Sequence, residues 1–223
     1  MDKKLLTKAL AGFLAGLAIV GILLFVPAGT LKYPGAWLLI GILFVPMCLA
    51  GLIMLKKSPE LLRKRLSAKE EQSEQKTVVL LSGLMFMAAF VLAGLDFRFG
   101  WTALPGWVKW AAAGVFLAGY ALYAEVLREN AYLSRTVEVQ ENQKVIDTGL
   151  YGIVRHPMYM STLAMFLSMP LVLGSLISFV IMLAYIPIIV KRILNEEQVL
   201  KTGLTGYTEY MRKVRYRLIP FVW

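Results

Sequence analysis

The sequence predicts an all-α, polytopic integral membrane protein with about six transmembrane segments, the last two forming a C-terminal helical hairpin. Three observations predict it. Of the 223 residues, 58% are hydrophobic, and the mean hydropathy is +0.66; soluble domains usually hold about 45–50% apolar residues. Five charge-free runs, 9–31, 33–55, 77–95, 110–124 and 157–190, punctuate the chain, and a bilayer crossing needs roughly 20 such residues. Basic residues collect in alternate connections, as short cytoplasmic loops require.

The first run follows Lys3, Lys4 and Lys8, a basic end and apolar middle shaped like a secretory signal peptide. Because further spans follow, it is expected to remain as a first anchor. The linker after the second run, KKSPELLRKRLSAKEEQSEQK, spaces Leu61, Leu62 and Leu66 as a helix would, so a surface helix with its leucines against lipid or protein is expected. The fourth run is short, but Val108 and the aliphatic stem of Lys109 extend it. Trp37, Trp101, Trp107 and Trp110 fall near span ends, where an amphipathic ring anchors at the membrane interface. The last run is 34 residues long with Pro170, Gly174 and Ser175 near its middle; a tight hairpin of two short crossings follows.

Charge placement tests that hairpin. With six spans, the inside segments hold 21 of the 24 Lys and Arg, and the outside segments hold three, Lys32, Arg98 and Lys109. A single final crossing would expel the seven basic residues from Lys191 onward, so both termini are expected in the cytoplasm of a multi-pass protein. The net charge of +10 sits in clusters between apolar segments, which suits an anionic membrane surface and not a nucleic-acid groove. One cysteine, Cys48, and one histidine, His156, exclude an intrachain disulfide and leave no basis for a transition-metal site. Two regions are expected: 1–128, membrane helices with the linker helix, and 129–223, which carries the chemistry.

Within 129–223 the chain reads RTVEVQENQKVIDTGLYGIVRHPMY. Residues 136–139 alternate as a strand would, over too short a stretch to define one. Gly149 permits a turn, and Pro157 turns His156 away from helix before starting the next span. Arg155 and His156 are thereby held at the membrane mouth, beside amides that favour an anionic group. The plainer account is that Arg155 marks the inner face, Tyr151 and Tyr159 are interface aromatics and His156 is a satisfied hydrogen-bonding group. After the hairpin, Arg192 and Glu196 share a helical face, whereas adjacent Glu196 and Glu197 point apart and cannot do the same job. Simple i,i+4 links, Arg192 with Glu196 and Glu197 with Lys201, would each contribute a few tenths of a kcal/mol. The hairpin also returns this helix to the side of Arg155 and His156.

At these residues the sequence resembles the isoprenylcysteine carboxyl methyltransferase family and its phospholipid N-methyltransferase relatives. RHPMY at 155–159, an apolar hairpin, EEQVL at 196–200 and the closing YTEYMRKVRYRLIP carry the resemblance, which covers roughly the last 90 residues. It implies a membrane-embedded methyltransferase with S-adenosyl-L-methionine as methyl donor, in a cytoplasmic pocket between connector and hairpin. Gln143, Lys144, Val145 and Ile146 would line the nucleotide through main-chain contacts, with Tyr151, His156, Pro157, Met158 and Tyr159 nearby. Glu196 would hold the cofactor and Arg192 would meet the acceptor; these two are the expected catalytic pair, and no metal is implied. Gln143 departs from the histidine that many relatives carry. The expected acceptor is lipophilic, a carboxylate of the isoprenylcysteine kind or a lipid head group, reached from the bilayer.

A second enzyme class, the NADPH-dependent sterol and steroid reductases of membranes, resembles the same terminal region, including Arg-His-Pro-x-Tyr. The adjacent acidic pair and the short chain favour methyl transfer. A non-enzymatic membrane scaffold or transporter subunit is the third reading, and no expected span carries at its centre the charge that ion pathways use. Met158, Met160, Met165 and Met169 give the fifth span a pliable surface that fits core or lipid contact.

Overall fold

The computed structural model describes residues 3–66, 73–133 and 139–223. Among them there is no strand. The chain forms α1 (Lys3–Ala28), α2 (Pro34–Lys57), a short linker helix α3 (Pro59–Leu66), α4 (Ser73–Phe99) and α5 (Gly106–Glu129). After a polar connector come α6 (Pro157–Leu173), α7 (Leu176–Met182), α8 (Tyr185–Gly203) and α9 (Tyr207–Lys213). Helices α1, α2, α4 and α5, and the α7–α8 unit, are each long and apolar enough to cross a membrane. This is a polytopic integral membrane protein. The alternation at 136–139 lies, except for its last residue, outside the described residues.

The hairpin turns at Gly174, which ends α6 in the left-handed region at φ 83°, a conformation glycine adopts without penalty. The amide of Gly174 donates to the Leu171 carbonyl at 3.1 Å and that of Ser175 to Pro170 at 2.9 Å, closing the helix. Ser175 then caps α7, accepting from the Ser178 amide at 3.1 Å, and its hydroxyl donates to the buried carboxylate of Asp96. Only the outgoing leg is short: α6 has 17 residues, while the return leg runs over the 28 residues Leu176–Gly203. The expected pair of short crossings is corrected here, because α8 stays helical well past its last apolar residue. The return leg breaks at Leu183 and Ala184, four and three residues before Pro187, whose ring collides with the carbonyl four positions back and whose nitrogen cannot donate.

Helix α6 is the centre of the bundle. Met165, Met169, Val172 and Leu173 pack against Leu24, Tyr33, Leu39, Ala112, Ala113 and Phe116 in one core. Tyr33, just before α2, donates its hydroxyl to the Leu173 carbonyl at 2.8 Å and stacks on Phe97 with ring centres 4.1 Å apart. Small residues allow the closest approaches, as they do between membrane helices generally. A Cβ on Gly119 would lie 3.0 Å from the Ser161 carbonyl oxygen, and one on Gly94 only 2.6 Å from that of Leu24. Gly94→Ala is therefore expected to push α1 from α4 and lower stability by about 1–3 kcal/mol. Thermal unfolding in detergent checks this; an unchanged midpoint would mean that the two helices are not held together there.

The linker helix packs on protein. Leu62 is buried and Leu61 and Leu66 are half-buried, Lys64 donates to the side-chain oxygen of Gln140 at 2.6 Å, and the Arg65 guanidinium sits 5.4 Å from the Tyr123 ring centre. The basic linker and the polar connector thus lie at one end of the bundle. Trp37, Trp101, Trp107 and Trp110 are each more than half exposed.

Candidate functional site

The connector is shaped by a few local devices. Gly149 has φ +52°, and a Cβ there would strike the Glu129 carboxylate, which instead accepts from the Leu150 amide at 3.0 Å and caps the 3-10 turn Gly149–Gly152. Tyr151 in that turn is buried; its hydroxyl accepts from the Asn130 amide nitrogen at 2.9 Å, and its carbonyl accepts from the Tyr210 hydroxyl at 2.8 Å. His156 stands at the N-cap of α6 with Pro157 at the first helical position, where proline's missing N–H costs nothing. The C-terminal tail runs alongside: the Arg155 amide donates to the Tyr216 carbonyl at 2.9 Å and the His156 amide to that of Arg217 at 2.8 Å.

A buried charge cluster ties these pieces together. Glu197 on α8 is 1% exposed and Arg155 6%. One carboxylate oxygen accepts from Arg155 Nε at 2.8 Å and lies 2.8 Å from its Nη2; the same oxygen is 3.4 Å from His156 Nε2. The other accepts from Arg217 Nε at 3.0 Å. The remaining Arg155 nitrogen donates to the Val214 and Arg215 carbonyls at 2.8 and 2.9 Å. Glu197 thus turns into the protein and not toward Lys201, and its cluster joins α6, α8 and the tail.

Its neighbour Glu196 faces the opposite way, into a cavity of about 830 Å³ including its open mouth. There the Tyr159 hydroxyl donates to Glu196 and accepts from Arg192 Nε at 2.9 Å, so Tyr159 bridges the two residues that share a face of α8. Gln143, Lys144, Val145, Ile146, Tyr151, His156, Met158, Tyr159, Arg192 and Glu196 all line this cavity. Pro157 does not; it starts α6 instead. The main-chain amides and carbonyls of Lys144, Val145 and Ile146 make no hydrogen bond with other described residues. These residues line the cavity, so their backbone groups are available to a ligand.

Arg155, placed at this mouth by the sequence, also lines the wall, and Asn130, Tyr132, Leu133, Leu200, Leu204, Tyr207 and Tyr210, which sequence reasoning did not assign, complete it. For the last two a signal existed: they are three apart on the helix of the closing motif and so share a face. Tyr207 is 4% exposed, and its hydroxyl is the one buried side-chain polar atom among the described residues without a hydrogen bond. Such an orphan costs about 1–3 kcal/mol. Burial, aided by the charges of Glu197 and Glu196, pushes its phenol well above the ordinary range, so it is a proton donor at any physiological pH.

The bundle thus closes a polar cavity at one end, walled by a carboxylate, a guanidinium and phenols. Residues 107–204 match the phospholipid methyltransferase family, the family of membrane methyltransferases that the resemblance indicated. A stretch of 91 residues is also 32% identical to the Delta(14)-sterol reductase TM7SF2 of Mus musculus. That match takes in 40% of this chain but only 22% of the reductase, so this chain spans a small part of that relative.

Proposed function

We propose that the cavity binds S-adenosylmethionine from the cytoplasmic side, and that the protein methylates a lipophilic acceptor presenting a carboxylate or, as the second chemistry, a lipid head group. The observation that carries this reading is the convergence of the unpaired 144–146 backbone with Tyr159, Arg192 and Glu196 on one cavity. The residues fit such a cofactor. The free amides and carbonyls match the donors and acceptors of a purine edge, and Val145, Leu200 and Leu204 supply apolar walls for the base. When bound, the group supplies a methyl on a positively charged sulfur for direct displacement, so no nucleophilic side chain is required.

The chain's own contribution is then alignment and charge. Glu196 and the face of Tyr159 attract a cation in a partly dry site, and holding the reactants in line while excluding water supplies most of the acceleration. Arg192 orients the acceptor. A carboxylate is ionised at neutral pH and pairs with a guanidinium; an amine must first lose a proton, and Arg192 is a poor neighbour for that. Cavity-lining residues all fall within 129–223, which we assign the chemistry, with 1–128 as the membrane anchor and both termini cytoplasmic. The acceptor enters from the bilayer.

Calorimetry of the purified protein in detergent is expected to register S-adenosylhomocysteine binding, and the same compound is expected to raise the unfolding midpoint. The relative named a sterol reductase supports the nicotinamide alternative, and the same assay separates the two. Protection by NADPH with none by S-adenosylhomocysteine would replace methyl transfer by reduction.

A further inference from the structure

Five tyrosines line the cavity, and four have an assigned partner for their hydroxyl. Tyr132 donates to the Asn142 carbonyl at 3.2 Å, Tyr151 accepts from Asn130, Tyr159 bridges Arg192 and Glu196, and Tyr210 holds the Tyr151 carbonyl. Tyr207 alone is orphaned. Its placement is as specific as its lack of a partner. The ring packs with Leu204, Tyr210, Val145 and Leu200, at the apolar part of the wall, while its phenol feels the charges of Glu197 and Glu196, at the polar part. Tyr207 therefore spans the two. A buried donor without a partner calls for one, and the cavity that Tyr207 lines is where a ligand could supply it after a small shift of the ring.

We infer that the Tyr207 hydroxyl is a ligand-binding group, completed by a hydrogen bond to the ribose of the bound S-adenosyl group. This rests on the S-adenosyl reading above. The ribose follows from connectivity: with the base against Val145, Leu200 and Leu204, and the sulfur drawn to Glu196, the sugar is the part that lies between them. Ribose also carries two hydroxyls able to accept from a phenol.

The test is Tyr207→Phe in the full-length protein in detergent, titrated with S-adenosylhomocysteine and with its 2′-deoxy and 3′-deoxy forms. Affinity for S-adenosylhomocysteine is expected to fall about two- to tenfold, while the unfolding midpoint of the ligand-free protein stays level or rises, because the variant removes an unsatisfied buried hydroxyl. A merely structural tyrosine would lower that midpoint. One deoxy form is expected to bind the wild type more weakly than the parent compound and yet bind the variant no worse than the parent does, the signature of a direct pair in a double-mutant cycle. Unchanged affinity in the variant would overturn the assignment of Tyr207, and absence of coupling with both deoxy forms would overturn the ribose contact. If the wild type itself fails to bind S-adenosylhomocysteine, the cofactor reading falls first and this inference falls with it.

Discussion

Replacing Glu197 with alanine is expected to cost the fold about 3–5 kcal/mol, the usual penalty for stranding a buried partner of opposite charge. Both carboxylate oxygens of Glu197 are engaged, by Arg155 and His156 on one side and Arg217 on the other. Removing it leaves Arg155, 6% exposed, with two carbonyl acceptors and no counter-charge. The tail also loses the anchor that Arg217 provides, although the backbone bonds from Arg155 and His156 to Tyr216 and Arg217 persist. Glu197→Ala should thus melt at a far lower temperature, and protease should cut its C-terminal tail before the rest of the chain. A midpoint within a degree or two of wild type would show that water reaches Arg155 and that the cluster is not a structural clasp. Replacing Glu197 by glutamine keeps one acceptor and should fall between the two.

The adjacent carboxylate should behave in the opposite manner. Glu196→Gln is expected to leave the unfolding midpoint unchanged, since Glu196 is half-buried on the cavity wall and glutamine still accepts from Tyr159. Binding of S-adenosylmethionine should nonetheless weaken about 10- to 100-fold, the range of a charge-assisted contact of about 1.5–3 kcal/mol. The loss should be smaller for S-adenosylhomocysteine, whose sulfur is neutral. Equal losses for the two compounds would move Glu196 from the sulfur to another part of the ligand, and no loss for either would remove it from the site. Arg192→Ala should spare cofactor binding more than Glu196→Gln does while abolishing turnover, because the acceptor loses its orienting cation. Two neighbouring glutamates would then differ in kind: one read by a melting curve, the other by a binding isotherm.

That contrast separates what was legible locally from what was not. The helical period alone requires residues 196 and 197 to face apart. It does not say which one faces inward. The plainer reading of Arg192 and Glu196 was a simple i,i+4 link, and the protein brings the Tyr159 hydroxyl to both side chains; that bridge depends on how α6 lies against α8, which i,i+4 spacing does not encode. Tyr151, Met158, Tyr159 and the 143–146 segment reached one cavity with Arg192 and Glu196 because the hairpin returns the chain to its starting side. Pro157 was grouped with them as part of one short motif, yet its ring serves the start of α6 and lines nothing.

By itself the sequence determined the membrane helices, the turn at Gly174 and the non-helical break at His156. Each is a local matter: a bilayer core rejects charge along a whole run, glycine tolerates a positive φ, and proline constrains the residue before it. Only the tertiary structure decided that Glu197 closes on Arg155 and Arg217, that α8 extends past its apolar portion to carry Glu196, and that Tyr207 is left without a partner. The reason is that a buried polar group is satisfied or orphaned by groups from distant segments, whose approach is set by packing around α6 and by no pattern along the chain.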